Sequence, residues 1–349
     1  DLGSQQGNLF GNEQPLGQLN MTESSDQIRA PKADIEMLIR KGRLALDNDT
    51  RVLGKGRETE TYKFQLPESV RRHARDIDAA LADIKVCDPA IGSGAFPVGL
   101  LHEIVNARLA LAPHSENAQS PYDFKRHAIA ESIYGVDIDA SAIDIARLRL
   151  WLSMIVDEDD YGAIEPLPNL DYKIVRGDSL VGFPENWNSP AAQEIENLKK
   201  EFFAETDHGR KMALKKNIDE QIQKRLDGSK KFFGHKISFD FRLFFSEVWH
   251  EKNGFDIVIG NPPYVQIQHF SGQQIQDDWK AQKYDTFTKT GDIYCLFYEK
   301  GHRLLHDSGV LAFITSNKWM RAGYGEKLRR KIKKKTQPLT LIDFSSFQV

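Results

Sequence analysis

The chain has 349 residues, of which 40% are hydrophobic and 28% are charged, with a formal net charge of −3. This length allows one main domain with elaborations, while the sequence shows no apolar stretch that could span a bilayer, no signal-peptide pattern and no global charge typical of nucleic-acid binders. Two cysteines cannot form a disulfide framework, so we expect a soluble, cytoplasmic protein with buried thiols.

The N-terminal part of the chain precedes the predicted sheet. Residues 1–30 are rich in Gly, Gln, Asn and Ser, which predicts a flexible leader. Residues 31–82 are interpreted as a helical region, because the apolar spacing of residues 33–46 fits one helix and the charged stretch 67–81 fits a second. The main domain is therefore expected at residues 83–349.

Three units of strand, turn and helix open the main domain. The strands are predicted at residues 84–87, within residues 132–139, and at residues 172–175. A helix through about residue 111 follows the first, and a helix containing Ile143, Ala146 and Leu150 follows the second. This alternation is typical of a doubly wound α/β sheet with helices on both faces. An acidic residue stands at or just beyond the end of each strand: Asp88, Asp137 and Asp178.

The second half of the chain begins with an insertion. Residues 184–235 are dense in Glu, Lys and Gln, which predicts an exposed helical hairpin inserted into the sheet domain. Seven basic residues at positions 327–335 favour either a solvated helix face or a phosphate-facing helix. The remaining predicted elements are a core segment at 239–249, a buried strand at 255–260, a mobile loop at 266–290, a helix at 292–306, and strands at 310–314 and 339–344.

The turn after the first strand contains Gly92 and Gly94, which allow the backbone to approach a ligand closely. The spacing for a nicotinamide dinucleotide is absent because position 97 is proline, and no Gly-Lys-Ser/Thr of a Walker motif occurs in this turn. The carboxylate of Asp88 would repel a pyrophosphate but attract an α-amino group or a sulfonium. The turn therefore favours a ligand with a cationic end.

Two further acids are candidate ligand-binding residues. Asp137 is placed to accept hydrogen bonds from ribose hydroxyls. Alternatively, Asp137 stabilises the N-terminus of the following helix, but Asp139 is the better candidate for that role. Asp178 is placed to pair with an adenine amino group, although an acid before Ser179 in a turn is often only a cap.

Asn261, Pro262, Pro263 and Tyr264 follow the buried strand at residues 255–260. Two prolines fix the backbone and remove two N–H donors, so the turn presents acceptors in fixed positions. An Asn side chain and a proline carbonyl can hold an exocyclic amino group, while Tyr264 offers a flat face to a planar base. A plain strand-ending turn is the alternative, but it leaves Tyr264 unexplained.

Taken together, these motifs resemble those of S-adenosylmethionine-dependent N6-adenine DNA methyltransferases of the gamma order, the group that includes the Eco57I-type restriction-modification enzymes. The resemblance covers about residues 84–344. It implies a class I methyltransferase sheet and the transfer of a methyl group from S-adenosylmethionine to an adenine flipped out of double-stranded DNA, in a bacterial cytoplasm. The motifs are Asp88-Pro89-Ala90-Ile91-Gly92-Ser93-Gly94-Ala95-Phe96, Gly135-Val136-Asp137-Ile138, Gly177-Asp178-Ser179-Leu180, Gly260-Asn261-Pro262-Pro263-Tyr264, Gly291-Asp292-Ile293-Tyr294-Cys295-Leu296-Phe297 and residues 309–319.

The resemblance also implies roles for individual residues. Asn261, Pro262, Pro263 and Tyr264 would hold the target base. The pocket of that base would be lined by Asp292, Tyr294 and Phe297. In relatives a segment before the first motif covers the cofactor, and Tyr62 to Glu68 would correspond to that segment. No metal is implied. The cofactor would be bound by Asp88, Pro89, Ala90, Gly92, Ser93, Gly94, Phe96, Asp137, Ile138, Asp178 and Ser179.

The same resemblance implies parts that these 349 residues do not contain. A closing antiparallel strand and a target-recognition domain are expected beyond Val349, and no Pro-Asp dipeptide begins a nuclease signature. A methyltransferase acting on a protein glutamine amide or on RNA stays an alternative, as does an inactive cofactor-binding scaffold within a restriction complex. The sequence leaves the oligomeric state and the DNA recognition sequence open.

Overall fold

The computed structural model describes residues 30–56, 64–115, 119–156, 170–184 and 192–344. The predicted leader therefore lies outside the described residues, apart from its last position. Within the described ranges, no helix combines the length and the apolar character needed to cross a membrane.

A parallel sheet of five strands forms the centre of the molecule, in the order β3-β2-β1-β4-β5. All neighbouring strands run parallel, which confirms the predicted Rossmann-like α/β fold. Because the strands are parallel, their carboxyl ends meet at one edge, where such folds bind ligands. The strands are β1 Val86–Asp88, β2 Ile133–Asp137, β3 Ile174–Arg176, β4 Phe255–Gly260 and β5 Leu305–Phe313.

Helices lie around this sheet, and their bounds refine the sequence prediction. The predicted helix at 67–81 is two helices that meet at His73, and the helix before β2 was not predicted. The N-terminal and first sheet-packing helices are α1 Lys32–Lys55, α2 Glu68–Arg72, α3 Ala74–Ala82, α4 Ala95–Ser115, α5 Pro121–Glu131 and α6 Ala140–Ile155. The later ones are α7 Ala192–Ala204, α8 His208–Asp227, α9 Ser229–Phe233, α10 Phe241–Phe244, α11 Ser246–Lys252, α12 Gln274–Ala281, α13 Tyr294–Leu304 and α14 Glu326–Lys335.

Strand register divides the core into two layers. Val86 pairs with Ile133 and Ile257, and these three side chains pack with residues of α4, α5 and α6. The next position, Cys87, pairs with Tyr134, and both pack against the opposite layer, which includes α10, α11 and Leu304 of α13. Side chains of a strand alternate between faces, so burial on both faces explains why successive residues at the start of β1 and β2 are apolar.

The insertion forms the predicted helical hairpin from α7 and α8. Its inner face is buried, however, because Ile195, Phe202 and Ile218 pack in one cluster with residues of the main domain. Lys199 is also buried, and its ammonium group lies 2.8 Å from a carboxylate oxygen of Glu247 on α11. The hairpin is thus exposed on one side and docked on the other.

Two predictions for the second half are wrong. Residues 266–290, predicted as a mobile loop, contain a short 3-10 helix at Ile267–Phe270 and helix α12. Apolar side chains spaced along this segment, including Trp279 and Tyr284, are buried in the same cluster as the insertion. The last predicted strand, at 339–344, is not part of the sheet, and its apolar residues Leu339, Leu341 and Ile342 are more than 60% exposed. An alternating pattern alone does not supply the neighbouring backbone that a strand requires.

Candidate active site

The predicted site residues meet at the carboxyl edge of the sheet. Asp88 is the last residue of β1 and Asp137 the last of β2, while Asp178 lies just beyond β3 and Asn261 just beyond β4. These strands are neighbours in the sheet, in the order β3-β2-β1-β4. Three carboxylates and one amide from distant parts of the sequence therefore line one edge.

The glycine turn after β1 is held by the strand beside it. The backbone N–H of Gly92 donates to Asp137 Oδ2 over 2.9 Å. Gly92 and Gly94 have φ angles of 51° and 81°, which L side chains rarely adopt. A Cβ at Gly94 would lie 3.1 Å from the Cβ of Ala146 on α6, whereas a Cβ at Gly92 would meet no atom within 4 Å. The turn thus packs tightly against α6 at Gly94 and leaves open space at Gly92.

Asp88 is a buried carboxyl group that accepts a hydrogen bond from the turn that follows it. Its side chain is 1% exposed, and its Oδ1 accepts from the backbone N–H of Ala90 over 2.9 Å. Burial raises the pKa of Asp88 to about 7, against the lowering effect of the Ala90 hydrogen bond and with a smaller contribution from the charge of Asp137. A cationic group placed beside this carboxyl would favour its ionised form.

Asp137 already takes part in two local hydrogen bonds. Its Oδ2 accepts from Gly92, and its Oδ1 accepts from the backbone N–H of Asp139 over 2.9 Å. Each carboxylate oxygen has two lone pairs, so acceptor capacity remains for a ligand. Asp139 itself caps α6 by accepting from the Ser141 N–H, as the sequence indicated. Beside them, Ile138 is 66% exposed and offers an apolar surface.

The segment after β3 is tied to the first motif. The hydroxyl of Ser179 donates to the carbonyl oxygen of Pro89 over 2.6 Å, and both residues are buried. Asp178 accepts from the N–H of Leu180 over 2.9 Å. This is the local cap that the sequence analysis gave as the alternative to adenine binding. Burial raises the pKa of Asp178. Ser179 and Pro89 therefore support each other, and the Asp178 carboxyl is held in a largely desolvated position.

At the turn after β4, the structure brings Asn261 and Tyr264 into direct contact. The Tyr264 hydroxyl lies 2.5 Å from Asn261 Oδ1 and 3.1 Å from the carbonyl oxygen of Ile314. Pro262 is buried, whereas Asn261, Pro263 and Tyr264 are exposed. Sequence reasoning treated the amide and the ring as separate parts of the site. In the structure the hydroxyl fixes the amide orientation.

A pocket of about 320 Å³ opens beside this turn. Two of the predicted wall residues, Asp292 and Tyr294, line it, but Phe297 does not: it packs in the cluster that contains Ile293 and Leu296. Sequence reasoning gave no site role to the other five lining residues, among them Lys318, because no local pattern distinguishes them from surface residues. The lining residues are Tyr264, Val265, Gln266, His269, Asp292, Tyr294, Ser316 and Lys318.

The basic helix α14 does not present all its charges to solvent. Lys327 donates to the carbonyl oxygen of Phe287 over 2.9 Å, and Lys331 lies 2.9 Å from Glu299 Oε1, a fully buried carboxylate. Arg329 donates to the carbonyl oxygen of Ala322 over 3.0 Å. The described part of the helix therefore uses several of its cations to hold the fold, and its exposed basic end is Lys333, Lys334 and Lys335.

Within the described residues, no group of three or more His, Cys, Asp or Glu side chains is placed to hold a metal ion. A family model described as Eco57I restriction-modification methylase matches residues 131–349, which is more than half of the chain. The chain belongs to this family. The match includes Asp137, Asp178 and Asn261 but begins after the glycine turn at Gly92 and Gly94, whose role rests on its own geometry.

Two relatives that combine a restriction enzyme and a methyltransferase are much longer than this chain. The putative type II restriction enzyme and methyltransferase RM.MjaORFECS2P of Methanocaldococcus jannaschii is 26% identical over 314 residues, which is 67% of this chain and 26% of that protein. RM.Eco57I of Escherichia coli, a type II restriction enzyme and methyltransferase, is 26% identical over 286 residues, which is 78% of this chain and 24% of that protein. The chain thus spans about a quarter of the length of these two relatives.

A third relative resembles a shorter stretch of this chain. The type II methyltransferase M.BstVI of Geobacillus stearothermophilus is 35% identical over 94 residues, which is 27% of this chain and 16% of that protein. Its name describes methylation alone, without a restriction enzyme. The shared stretch is therefore compatible with the methylating part of such systems.

Proposed function

We propose that this chain carries the catalytic part of a DNA methyltransferase that transfers a methyl group from S-adenosylmethionine to the N6 amino group of adenine, as the modification activity of a restriction-modification system. The observation that carries the proposal is the contact between two sites. Asp88, the acid suited to a cationic ligand, lies against Gly260, and Gly260 directly precedes the amino-holding residue Asn261. A methyl donor and an amine acceptor bound at these places would be neighbours.

The residues at the sheet edge fit S-adenosylmethionine. Asp88 is buried, and within the described ranges its carboxyl group accepts a hydrogen bond from the Ala90 N–H of the following turn, so a cationic amino or sulfonium group would complete its surroundings. Asp137 retains acceptor capacity for ribose hydroxyls, and Asp178 is placed to accept from the adenine amino group. When bound, this cofactor supplies the methyl carbon.

The turn after β4 supports the choice of an amine as acceptor. The Asn261 amide oxygen already accepts a hydrogen bond, from the Tyr264 hydroxyl, and Asn261 is exposed. The amino group of a base would replace that hydroxyl, and the carbonyl of Pro262 would accept its second hydrogen. Holding both hydrogens directs the nitrogen lone pair outward without a strong base.

A base inside a duplex must leave the stack to reach such a turn. Extrusion costs a few kcal/mol, and stacking on an aromatic ring offsets part of this cost. Tyr264 is 51% exposed and stands at the pocket of about 320 Å³, so its ring is available to a planar base. Cysteine-dependent methylation of a base carbon is not supported, because burial raises the pKa of Cys87 well above its usual value and that of Cys295 to about 12.

The proposal is tested by incubating the intact protein with radiolabelled S-adenosylmethionine and, separately, unmodified genomic DNA, total RNA and a protein extract. We expect label in DNA, released as N6-methyladenine on hydrolysis. Asn261→Ala should abolish transfer while calorimetry still shows cofactor binding. The control is Asn197→Ala, since Asn197 is exposed on α7, far along the chain from the turn. Label in RNA or protein instead of DNA would replace the proposed substrate, and undiminished transfer by Asn261→Ala would overturn the mechanism.

A further inference from the structure

A short segment after β5 contributes Lys318 to the lining of the pocket of about 320 Å³. It consists of two 3-10 turns, Asn317–Met320 and Gly323–Gly325, followed by α14. A Cβ at Gly325 would overlap the carbonyl group of Trp319, so the second turn is closely nested against the first. Arg329 donates to the carbonyl oxygens of both Trp319 and Ala322. The backbone around Tyr324 is therefore firmly held.

The second turn carries one side chain, Tyr324, that contacts two residues of the pocket lining. The Tyr324 hydroxyl donates to Asp292 Oδ2 over 2.7 Å and lies 2.8 Å from the Tyr294 hydroxyl, which can donate to it in turn. Burial raises the pKa of Tyr324 to about 12 and also raises that of Tyr294, so both hydroxyls stay protonated. Tyr324 is not among the residues that line the pocket, whereas Asp292 and Tyr294 are. Any effect of Tyr324 on a bound base must pass through these two.

Tyr294 in turn supports the base-stacking ring. Its ring meets that of Tyr264 edge to face, with centroids 6.0 Å apart and an angle of 85°. Tyr294 is fully buried with Cys295 and Leu328, whereas Tyr264 is 51% exposed. An edge-to-face contact with a buried ring restricts the tilt of the exposed one. The chain of contacts thus runs from Tyr324 to Tyr294 to Tyr264.

We propose that Tyr324 is a positioning residue for the target base, which fixes Tyr294 and Asp292 so that Tyr264 is preoriented to stack on an extruded adenine. This inference rests on the proposed function. It assigns to the Gly323-Tyr324-Gly325 turn a task in stabilising the extruded base and none in binding the cofactor. Because Asp88 and Asp137 lie at other strand ends, loss of the Tyr324 hydroxyl should leave the cofactor site unchanged.

The test compares Tyr324→Phe with Tyr298→Phe in the intact protein. Tyr298 is the matched control, because it lies one turn along α13 from Tyr294 and its hydroxyl is hydrogen-bonded to Thr315 over 3.0 Å, outside the pocket. Tyr324→Phe removes one hydroxyl and keeps the ring. Each variant loses one hydrogen bond of the folded protein, so the Tm should fall in both. We expect kcat/KM for DNA to fall about tenfold in Tyr324→Phe only, with the cofactor Kd unchanged in both variants.

A second measurement separates positioning from general damage. After the methylated sequence has been mapped, the thymine opposite the target adenine is replaced to give a mismatch, which lowers the cost of extrusion. The mismatch should restore much of the activity of Tyr324→Phe. Equal kcat/KM for Tyr324→Phe and the wild type, or a loss that the mismatch does not relieve, would overturn the assigned role. Absence of DNA methylation by the wild-type protein would instead overturn the proposed function, and the role with it.

Discussion

The Asp88 carboxylate occupies the space that a side chain at position 260 would need. A Cβ on Gly260 would lie 2.6 Å from Asp88 Oδ1. The two residues end neighbouring parallel strands, β1 and β4, and Gly260 directly precedes Asn261. The carboxyl group expected to meet the cofactor and the turn expected to hold the base are thus in contact through a residue that must lack a side chain.

Gly260→Ala should therefore damage both the fold and the proposed reaction. A carbon 2.6 Å from a buried oxygen forces a shift of one strand end, and overpacking of this kind costs about 2 kcal/mol. We expect that decrease in the free energy of unfolding in urea, together with weaker cofactor binding and slower methyl transfer. The control is Gly99→Ala: Gly99 lies in α4 with open space around it, so the change should stabilise the protein by about 0.5–1 kcal/mol. A variant at 260 as stable and active as the wild type would contradict the contact.

The raised pKa of Asp88 predicts a pH-dependent affinity for S-adenosylmethionine. The folded-state value of about 7 lies above the ordinary 3.8, so the folded protein holds this proton over that interval, and the contribution of Asp88 to stability falls as pH rises through it. A cationic ligand requires the ionised form. Its affinity should rise about tenfold per pH unit below the pKa and level off above it.

Calorimetric titration across this pH range measures the effect. Asp88→Asn keeps an acceptor for the Ala90 N–H but cannot ionise, so it should bind weakly at every pH. Asp178, whose pKa burial also raises, remains in that variant, and any pH dependence left would belong to it or to another group. An affinity of the wild type that is flat with pH would show that the Asp88 carboxyl does not meet the cationic end.

The placement of several candidate residues at one sheet edge was predictable because they follow apolar strands directly. Asp88, Asp137 and Asn261 each stand at or next to the end of such a strand, and parallel strands bring their carboxyl ends together. Helix α5 was missed although a local signal exists: Ser120 and Asp123 form a reciprocal capping box around Pro121. A serine, a proline directly after it and an aspartate three residues on are typical of a helix N-terminus.

Other features depend on contacts between distant parts of the chain. Tyr324 reaches Asp292 across 32 positions, and nothing in its neighbours except two flanking glycines marks it. The segment with Trp279 and Tyr284 is polar on average, so its burial follows from the cluster it joins and not from its composition. The alternation at 339–344 indicated a strand, but pairing depends on a partner that a local pattern does not specify.

Glu299 of α13 is predicted to be the main electrostatic contact that holds α14 and the segment at Thr286 against α13. It is fully buried and accepts from Thr286 N–H, from Arg303 and from Lys331 of α14. Burial alone would raise its pKa, but these hydrogen bonds and charges lower it from 4.5 to about 2. The folded protein therefore binds this proton less readily, so the contribution to stability is complete above pH 4.5 and is lost as pH falls towards 2.

Glu299→Gln should lower the free energy of unfolding by about 3 kcal/mol, because it leaves two cations without their buried partner. Urea unfolding at neutral pH measures this loss. Glu326→Gln is the matched control: its ion pair with Arg330 is exposed on both sides, so the expected change is at most about 0.5 kcal/mol. Equal effects of the two substitutions would show that the buried network contributes no more than a surface pair.

The last prediction concerns the attachment of the N-terminal helices. Arg108 of α4 and Asp78 of α3 are both buried, with Arg108 Nε 2.7 Å from Asp78 Oδ1, and the guanidinium lies 4.5 Å from the centroid of the Phe124 ring. Asp78→Asn leaves the arginine charge buried without its counter-ion, which should cost about 3 kcal/mol and expose α1–α3 to protease. Asp76→Asn, at an exposed position of the same helix, should do neither.

The double variant Asp78→Leu with Arg108→Met should regain most of the stability, since removing both charges removes the desolvation cost. Thermal unfolding and limited proteolysis of the three variants measure these outcomes, and a double variant no more stable than Asp78→Asn would show that the pair is needed for more than charge balance.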